Sequence, residues 1–340
     1  MVAKSRDARP PAMMDVAQRA GVSHQTVSRV INDSGKVAEE TRDKVLRAIA
    51  ELGYRRNSVA RALVTRKSGI IGILTGTSSH WGPSTRLLTV ELAAREAGFL
   101  TLVAPLQDFS KDSLDGALDH FLGLAVEGII VMAPIAGTGE DLQAFTAPVP
   151  IVVMTSADLS ETAGMYQVTV DQELGGRMAV EHLIGLGHTD IAHVHGPRDW
   201  YEARQREAGW RAVMEEHGLA VREPLGGGWG ASSGYEAGRA LVAQGIPQAV
   251  FAANDELALG VIDALAEAGH SVPGDVSVVG FDDAPASAFF RPALTTVRQD
   301  FATLGEDAVR ILVRAIGGDE GIVSVFVSPT LVVRASTAAV

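Results

Sequence analysis

One short pattern, residues 14 to 32 (MDVAQRAGVSHQTVSRVIN), constrains the fold of this chain more than any other stretch. Val16 and Ala20 stand four positions apart, as on one apolar face of a short helix. Gly21 follows, and glycine accepts the positive φ that a tight turn requires. Ser23 is a favourable N-cap for a second helix. The pattern therefore predicts two short helices joined by a tight turn.

The second predicted helix has two faces of opposite character. Val27, Val30 and Ile31 share one face, which favours packing against neighbouring helices. The other face is polar and can reach base edges or phosphates, as a recognition helix in the DNA major groove does. A helical hairpin with a solvated face is the alternative. The residues expected to contact DNA in this stretch are Ser23, His24, Gln25, Thr26, Ser28, Arg29 and Asn32.

A third helix is predicted from Thr41 to Leu52, with Gly53 ending it. Four apolar residues are expected to face inward, namely Val45, Leu46, Ile49 and Leu52. The run that follows, YRRNSVARALVTRK, is basic, short and only weakly apolar.

The motif DVAxxAGVSxxTVSRVxN resembles, residue by residue, the DNA-binding headpiece of the lac repressor/galactose repressor family. The resemblance implies that the segment from Asn57 to Val64 is a hinge helix that folds only on DNA, with Asn57 and Ala60 contacting the duplex. It also implies that Leu63 inserts into the minor groove at the operator's centre. Two residues depart from the family pattern: Ala38 replaces the usual serine N-cap, and Arg56 replaces the proline before the hinge.

Charge is distributed unevenly along the chain, whose formal net charge is −12. Residues 1–67 contain 14 Lys and Arg against 7 Asp and Glu, whereas residues 68–340 contain 15 against 34. A basic head on an acidic body is the electrostatic footprint of a modular DNA binder. The acidic body is repelled from the duplex, which favours one docking face.

Residues 68–340 alternate between short apolar runs and helical stretches, which is typical of parallel α/β sheets. The segment is also long enough for two lobes. None of the apolar runs approaches the ~20 residues of a membrane helix. The basic N-terminus lacks the apolar stretch of a secretory signal, and the chain has no cysteine. These features favour a cytoplasmic protein.

The family resemblance extends to about Arg334, through segments such as FAANDELALGVIDAL and VPGDVSVVGFDD. It implies an α/β fold: a two-lobed periplasmic-binding-protein-like core, with parallel sheets flanked by helices, behind an N-terminal helix-turn-helix domain. The expected domains are a headpiece (1–56), a hinge and linker (57–67) and a ligand-binding core (68–340). Crossings near 298 and 325 would give an N-lobe of about 68–168 plus 299–324, and a C-lobe of about 169–298 plus 325–336.

A sugar effector needs planar groups that bind paired hydroxyls, and an aromatic surface for its C–H face. Asp282 and Asn254 end apolar runs, where ligands bind open α/β sheets. Arg206 supplies a fork of donors, and Trp229 and Phe301 could stack on the ring. The family match places all five residues at ligand-contacting positions, although a salt bridge, a cap or a core aromatic is the alternative for each.

The predicted ligand site departs from the family in one loop and one strand end. Thr155 stands where the resemblance would place an aspartate that holds a sugar hydroxyl. His80 makes the loop after the first strand bulkier and more polar. A galactoside or related glycoside is therefore the leading expectation for the effector, with no other cofactor.

Catalytic and metal-binding patterns are weak in this sequence. Gly230 to Gly234 formally matches G-x-S-x-G, but it follows a glycine-rich segment rather than a core strand. Ser233 followed by Glu236 fits a helix capping box instead. His182, His188, His193 and His195 lack the spacing of a metal site, and no phosphate-binding glycine motif is present. We therefore expect no enzymatic activity and no metal.

The favoured function is a homodimeric repressor of a pseudo-palindromic operator that a sugar releases. Alternatives are a sugar-binding transport component and a corepressor-dependent regulator of the same family. Helix-turn-helix proteins read paired half-sites as dimers. The residues Leu87, Leu88, Val90, Leu92 and Ala94, with the helix 114–124, are expected to form the dimer face, and the absence of a C-terminal leucine heptad favours a dimer over a tetramer.

Overall fold

The computed structural model describes residues 11–31, 37–55, 67–132, 147–156, 165–319 and 324–340. The chain forms two compact units that divide between Ser68 and Gly69. In the described part, no helix is both long and apolar enough to span a bilayer.

The first unit, the headpiece, contains helices α1 (Met13–Ala20), α2 (His24–Ile31) and α3 (Glu39–Leu52). Gly21 ends α1 with a left-handed φ of 67°, as the turn requires. The Ser23 hydroxyl accepts a hydrogen bond from the Thr26 backbone N–H at 3.1 Å, so it caps α2 as predicted. At α3, Ala38 offers no side-chain cap, also as predicted.

The headpiece core has one member that the sequence pattern misplaced. Val16, Val27 and Val45 are fully buried together, in agreement with their predicted faces. Leu46, however, is 47% exposed, so its predicted inward orientation is wrong. Ala48 is buried instead, because it stands three positions from Val45 and residues at that spacing lie on the same face of a helix.

The second unit, the core, contains two six-stranded sheets. The first sheet consists of β1 (Ile70–Gly76), β2 (Leu100–Leu106), β3 (Gly128–Met132), β4 (Ile151–Met154), β5 (Met165–Val170) and β11 (Ser324–Val327). Its order is β11-β5-β4-β3-β1-β2, and all neighbours pair in parallel. Parallel strands need crossover helices that cover both faces, which explains their continuous apolar runs.

The second sheet consists of β6 (Ile191–His195), β7 (Leu225–Gly226), β8 (Ala249–Ala252), β9 (Ser277–Asp282), β10 (Thr295–Arg298) and β12 (Thr330–Val332). Its order is β12-β10-β9-β8-β6-β7, with β12 antiparallel to β10. The chain leaves this sheet after Arg298, as expected. It returns only after Val327, because β11 still pairs with β5, so the boundary predicted near 325 falls inside a first-sheet strand.

Seven further helices cover the sheets in the described part of the core. They are α4 (Trp81–Glu96), α5 (Lys111–Gly123), α6 (Gln172–Gly185), α7 (Tyr201–Glu216), α8 (Ala231–Gln244), α9 (Asp255–Glu267) and α10 (Phe301–Ile316). Helix α10 packs on α4 and on the first sheet, so the sequence from 301 to 327 rejoins the first lobe. Each lobe is therefore discontinuous in sequence.

Candidate DNA-facing helix and effector cleft

The polar face of α2 is presented outward on the headpiece. His24, Gln25 and Arg29 are exposed, and Thr26 and Ser28 are half-buried. Ser23 is also exposed, although its hydroxyl is engaged in the cap. The predicted contacts Asn32, Asn57, Ala60 and Leu63, together with Arg56, lie outside the described residues.

The core has a cleft where strands of both sheets end at their carboxyl termini. Two adjoining cavities lie there, one larger than the other. Both are lined by Pro83, Arg86 and Trp200, so they form one continuous cleft. Ligands of open α/β sheets bind at this end of the strands.

Arg206 lies on the wall of the smaller cavity and is only 4% exposed. Its Nε donates to Gln172 Oε1 at 2.8 Å, and its Nη2 lies 3.4 Å from Asp282 Oδ1. The guanidinium carbon lies 3.8 Å from the centre of the Phe281 ring, which adds a cation–π contact. The predicted donor fork is thus held rigidly by its neighbours.

Asp282 ends β9 in a backbone conformation that non-glycine residues rarely adopt. Its φ is 107°, and strained residues of this kind concentrate at functional sites. Its Oδ1 also accepts a hydrogen bond from Gln299 Nε2 at 2.6 Å. Burial raises the pKa of the Asp282 carboxyl, although Arg206 and Gln299 act in the opposite direction.

Asn254 and Trp229 line the same cavity and are joined to each other. Asn254 Nδ2 donates to the Trp229 carbonyl at 3.0 Å, while Asn254 Oδ1 caps α9 by accepting from the Leu257 N–H. The Trp229 ring meets the Trp200 ring edge-on at 5.5 Å. Asn254 therefore combines the structural role of a cap with a position at the cleft.

The remaining three predicted effector contacts are placed differently from one another. His80 lines the smaller cavity, with its Nδ1 3.4 Å from Glu256. Thr155 is 1% exposed and lines neither cavity; its carbonyl accepts from Gln167 Nε2 at 2.9 Å. Phe301 packs in the first-lobe core at the start of α10, and its ring lies beside Gly82, which lines the smaller cavity. The structure therefore places Thr155 away from the cavity walls and Phe301 directly behind one of them.

The larger cavity combines apolar and hydroxyl-bearing walls. Leu106, Phe109 and Met132 are its apolar members from the first lobe. Hydrogen-bonding groups come from Thr75, Thr77, Ser78 and Gln107. A wall of this mixed composition suits a small polar molecule that also has an apolar part.

Sequence reasoning missed four polar or aromatic residues of the smaller cavity: Arg86, Trp200, Glu202 and Gln299. Glu202 stands four positions before Arg206 on α7, and residues at this spacing share one helix face. That spacing was a usable signal for Glu202. Arg86 on α4 has no predicted site residue three or four positions away on its helix. Only the tertiary structure therefore places it at the cleft.

An ion pair joins the two lobes across the cleft. Arg86 Nη1 of α4 donates to Glu202 Oε1 of α7 at 2.9 Å, and the two side chains are 13% and 4% exposed. We call this contact the interlobe ion pair. His80 and Glu256 make a second contact between the lobes at a more exposed position.

The predicted histidine cluster has structural partners. His193 Nδ1 lies 2.9 Å from the Phe251 carbonyl, and burial lowers the pKa of His193 to about 3. His182 and His188 contact residues near the C-terminus, and His195 contacts the Gly196 carbonyl. Among the described residues, no three His, Asp or Glu side chains are arranged to hold a metal ion.

Ser233, next to the serine of the weak G-x-S-x-G match, also has a structural role. Helix α8 begins at Ala231, with Gly230 as N-cap, so the predicted capping box at Ser233 is wrong. The Ser233 hydroxyl instead accepts from the Gly228 N–H at 3.1 Å and holds the preceding glycine loop.

Two family models match this chain. Residues 12–57 match the model of bacterial regulatory proteins of the lacI family, and residues 180–337 match a periplasmic binding protein-like domain. The lactose operon repressor of Escherichia coli (strain K12) is 35% identical over 91% of this chain and 86% of its own length. The HTH-type transcriptional repressor PurR of Histophilus somni (strain 129Pt) is also 35% identical, over 95% of this chain and 97% of its own length.

Solved structures give the same relationship. A lac repressor dimer bound to operator and the anti-inducer ONPF superimposes with a TM-score of 0.85 at 33% identity, covering 97% of this chain and all of that one. A complex of the transcriptional regulator CelR with cellobiose has a TM-score of 0.71 at 30% identity, covering 96% and 99%. The chain belongs to the lacI family of bacterial regulatory proteins and is a DNA-binding transcriptional repressor.

Proposed function

We propose that this repressor is released from its operator by an uncharged sugar, a galactoside or related glycoside, bound in the cleft between the two lobes. The proposal depends on the buried ion pair between Arg206 on α7 and Asp282 at the end of β9. A guanidinium and a carboxylate side by side supply the donors and the acceptor that adjacent sugar hydroxyls need. Trp229 supplies an aromatic wall beside them.

The relatives support a ligand of this chemistry. The lac repressor has been solved with ONPF, and CelR with cellobiose. The lactose operon repressor and the ribose operon repressor of Escherichia coli (strain K12) are both 35% identical to this chain, so the family relationship by itself does not select the sugar. The sugar assignment therefore depends on the cleft chemistry described above.

A corepressor-dependent regulator is the second candidate, because a cleft ligand can favour either lobe arrangement. A ligand shifts this equilibrium only by its difference in affinity for the two arrangements. Two contacts between the lobes, Arg86–Glu202 and His80–Glu256, are formed in the arrangement described here. The direction of the DNA response to the ligand separates the two candidates.

We propose that the chain acts as a dimer, as the lac repressor does in its operator complex. Leu88 and Leu92 of α4 are exposed, by 54% and 40%, and are available for a partner. The predicted dimer face is wrong at Val90 and Ala94, which are fully buried in the first-lobe core because they lie on the opposite side of α4. Light scattering at micromolar concentration should give the mass of a dimer, and a stable monomer or tetramer would contradict this.

The experiment that tests the proposed function begins with selection of bound sequences from a random DNA pool. The selected operator is then titrated by fluorescence anisotropy with lactose, isopropyl thiogalactoside, cellobiose, ribose and adenine. We expect one of the glycosides to weaken operator binding by about tenfold or more, as typical coupling energies allow. Tighter DNA binding with any ligand would favour the corepressor candidate, and a response to none of the glycosides would contradict sugar relief.

A further inference from the structure

Glu202 has a carboxylate oxygen that the protein leaves without a partner. Its Oε1 accepts from Arg86, but its Oε2 is buried and has no hydrogen-bond partner among the described residues. The residue is 3% exposed and lines the smaller cavity. Because a buried carboxylate oxygen without a donor is costly, this atom indicates a place for a ligand donor.

A matching donor lies on the same cavity wall. The indole Nε1–H of Trp229 is buried and likewise has no acceptor within the described part of the chain. Trp229 is 7% exposed and lines the cavity with Glu202. A hydroxyl group is the simplest ligand group that both donates and accepts, so hydroxyls can satisfy an orphan acceptor and an orphan donor together.

The charges of this cavity are already balanced. Its charged lining residues are Arg86, Glu202, Arg206 and Asp282. They form two pairs, Arg86 with Glu202 at 2.9 Å and Arg206 with Asp282 at 3.4 Å. A phosphate or carboxylate on the ligand would therefore meet no excess positive charge and would face two buried carboxylates. The lining favours an uncharged ligand.

We propose that Glu202 is a second hydroxyl-binding residue of the cleft and determines specificity for an uncharged polyhydroxyl ligand, with Arg86 as its positioning residue. The proposal rests on the proposed function and deepens it. A ligand hydroxyl donates to Glu202 Oε2, while Arg86 holds Oε1 from the other lobe. Arg86 also lines the larger cavity, so a ligand bound at this point contacts the boundary between the two cavities.

The geometry links this contact to the lobe arrangement. Glu202 belongs to α7 of the second lobe, whereas Arg86 belongs to α4 of the first. A hydroxyl that donates to Glu202 Oε2 either weakens the hydrogen bond between Arg86 and Oε1, because both donors share one carboxylate, or strengthens it by fixing the orientation of that carboxylate. In either case the ligand acts directly on a contact between the two lobes, so its affinity can depend on the lobe arrangement, which is the requirement for a conformational response.

The test is a pair of variants in the full chain, studied by calorimetric titration with whichever of lactose, isopropyl thiogalactoside and cellobiose binds the wild type. Glu202→Gln keeps the shape of the side chain and removes its charge. The double variant Arg86→Met with Glu202→Met removes both charges, and such replacement of a buried ion pair is often neutral or stabilising. We expect both to weaken sugar binding about tenfold or more, since each loses a hydrogen bond to a charged group.

A matched control is available on the same helix. Glu207 pairs with Arg211 at 3.1 Å, and neither residue lines the two cleft cavities. The double variant Glu207→Met with Arg211→Met should bind the sugar within about twofold of the wild type. Thermal unfolding of the two double variants should be close to wild type, whereas Glu202→Gln should unfold at a lower temperature because Arg86 keeps its buried charge. Preference for the selected operator over random DNA shows that all variants fold.

Monodeoxy analogues of the binding sugar identify the hydroxyl itself. One analogue should bind the wild type more weakly than the parent sugar does. The Arg86→Met, Glu202→Met variant should bind that analogue and the parent sugar with equal affinity. Wild-type affinity in that double variant would show that Glu202 only neutralises Arg86, and would overturn the inference while leaving the proposed function standing. A wild type that binds none of the three sugars would overturn both.

Discussion

The headpiece and the core present their polar binding groups in opposite ways. On α2, the side chains of His24, Gln25 and Arg29 are exposed on a helix whose other face is buried. In the cleft, Arg206 and Asp282 are almost wholly buried and contact each other without a ligand. The α2 groups are open to an incoming partner, whereas the cleft groups are already ordered inside the protein.

This difference predicts how binding and stability are coupled in each region. Exposed groups can be removed with little effect on folding, because water replaces their contacts. Buried charges cannot, because removal of one partner leaves the other uncompensated in a medium of low dielectric constant. Substitutions on α2 should therefore change DNA recognition alone, whereas most substitutions in the cleft should change stability as well.

The largest expected effect is that of Arg206→Ala on the stability of the core. The change leaves Asp282 and Gln172 without their buried donor, and loss of one member of a buried pair costs about 3–5 kcal/mol. Chemical denaturation followed by tryptophan fluorescence measures it. The control is Arg310→Ala, which removes an exposed pair with Asp307 and should cost about 0.5 kcal/mol or less. If the two variants lose equal free energy of unfolding, the buried cleft pair is no more important for stability than an exposed pair.

A smaller effect is expected for Gln25→Ala in the headpiece. Gln25 is exposed near the start of α2, where side chains reach base edges, and glutamine can bind adenine through two hydrogen bonds. The variant should lose about 1–3 kcal/mol of discrimination at one half-site position. Its thermal unfolding should match the wild type. The base-reading role is wrong if selected and random DNA lose affinity equally in anisotropy titrations.

An expected effect of a different kind is a change in pH dependence that originates in the core. Burial raises the pKa of Asp255 to about 8, above the ordinary 3.8. The folded protein then binds this proton more tightly than the unfolded chain, so the contribution of Asp255 is fully present below about pH 4 and declines as the pH rises to about 8. Asp255→Asn should flatten the fall in the unfolding temperature between pH 5 and 8.

A control for this pH effect is Asp115→Asn, because Asp115 pairs with Lys111 at an exposed position. The Asp255→Asn side chain can keep both local contacts, accepting from the Ala284 N–H and donating to the Thr296 hydroxyl, which can rotate. If the slopes of unfolding temperature against pH are the same in wild type and both variants, buried Asp255 does not make this contribution.

The headpiece was largely predictable because its determinants are local. The turn at Gly21, the cap at Ser23 and the buried valines of α1, α2 and α3 all follow from spacing within a few residues. Leu46 was misplaced because its side chain leaves α3 about 100° away from that of Val45, and this direction faces solvent. Identity alone does not indicate which of two neighbouring apolar residues is buried.

From local pattern alone, the cleft was predictable where a functional side chain ends a strand, whereas Arg206 and Trp229 were placed there by the family resemblance. Asp282 and Asn254 follow apolar runs, so their positions at the sheet edge could be inferred. The interlobe ion pair joins residues 116 positions apart on helices of different lobes. No local sequence pattern specifies such a contact, because it depends on how the two lobes pack against each other.

The central claim is that a ligand in the cleft of the core controls the DNA binding of the headpiece. The most direct measurement compares wild type with Asp282→Asn by anisotropy titration of the selected operator, at increasing concentrations of the releasing sugar. Asp282→Asn keeps the side-chain shape and the hydrogen bond from Gln299, and the substitution lies outside the headpiece. We predict that operator affinity without sugar is unchanged and that the sugar no longer releases the DNA. Release of the variant at the wild-type sugar concentration would contradict the claim.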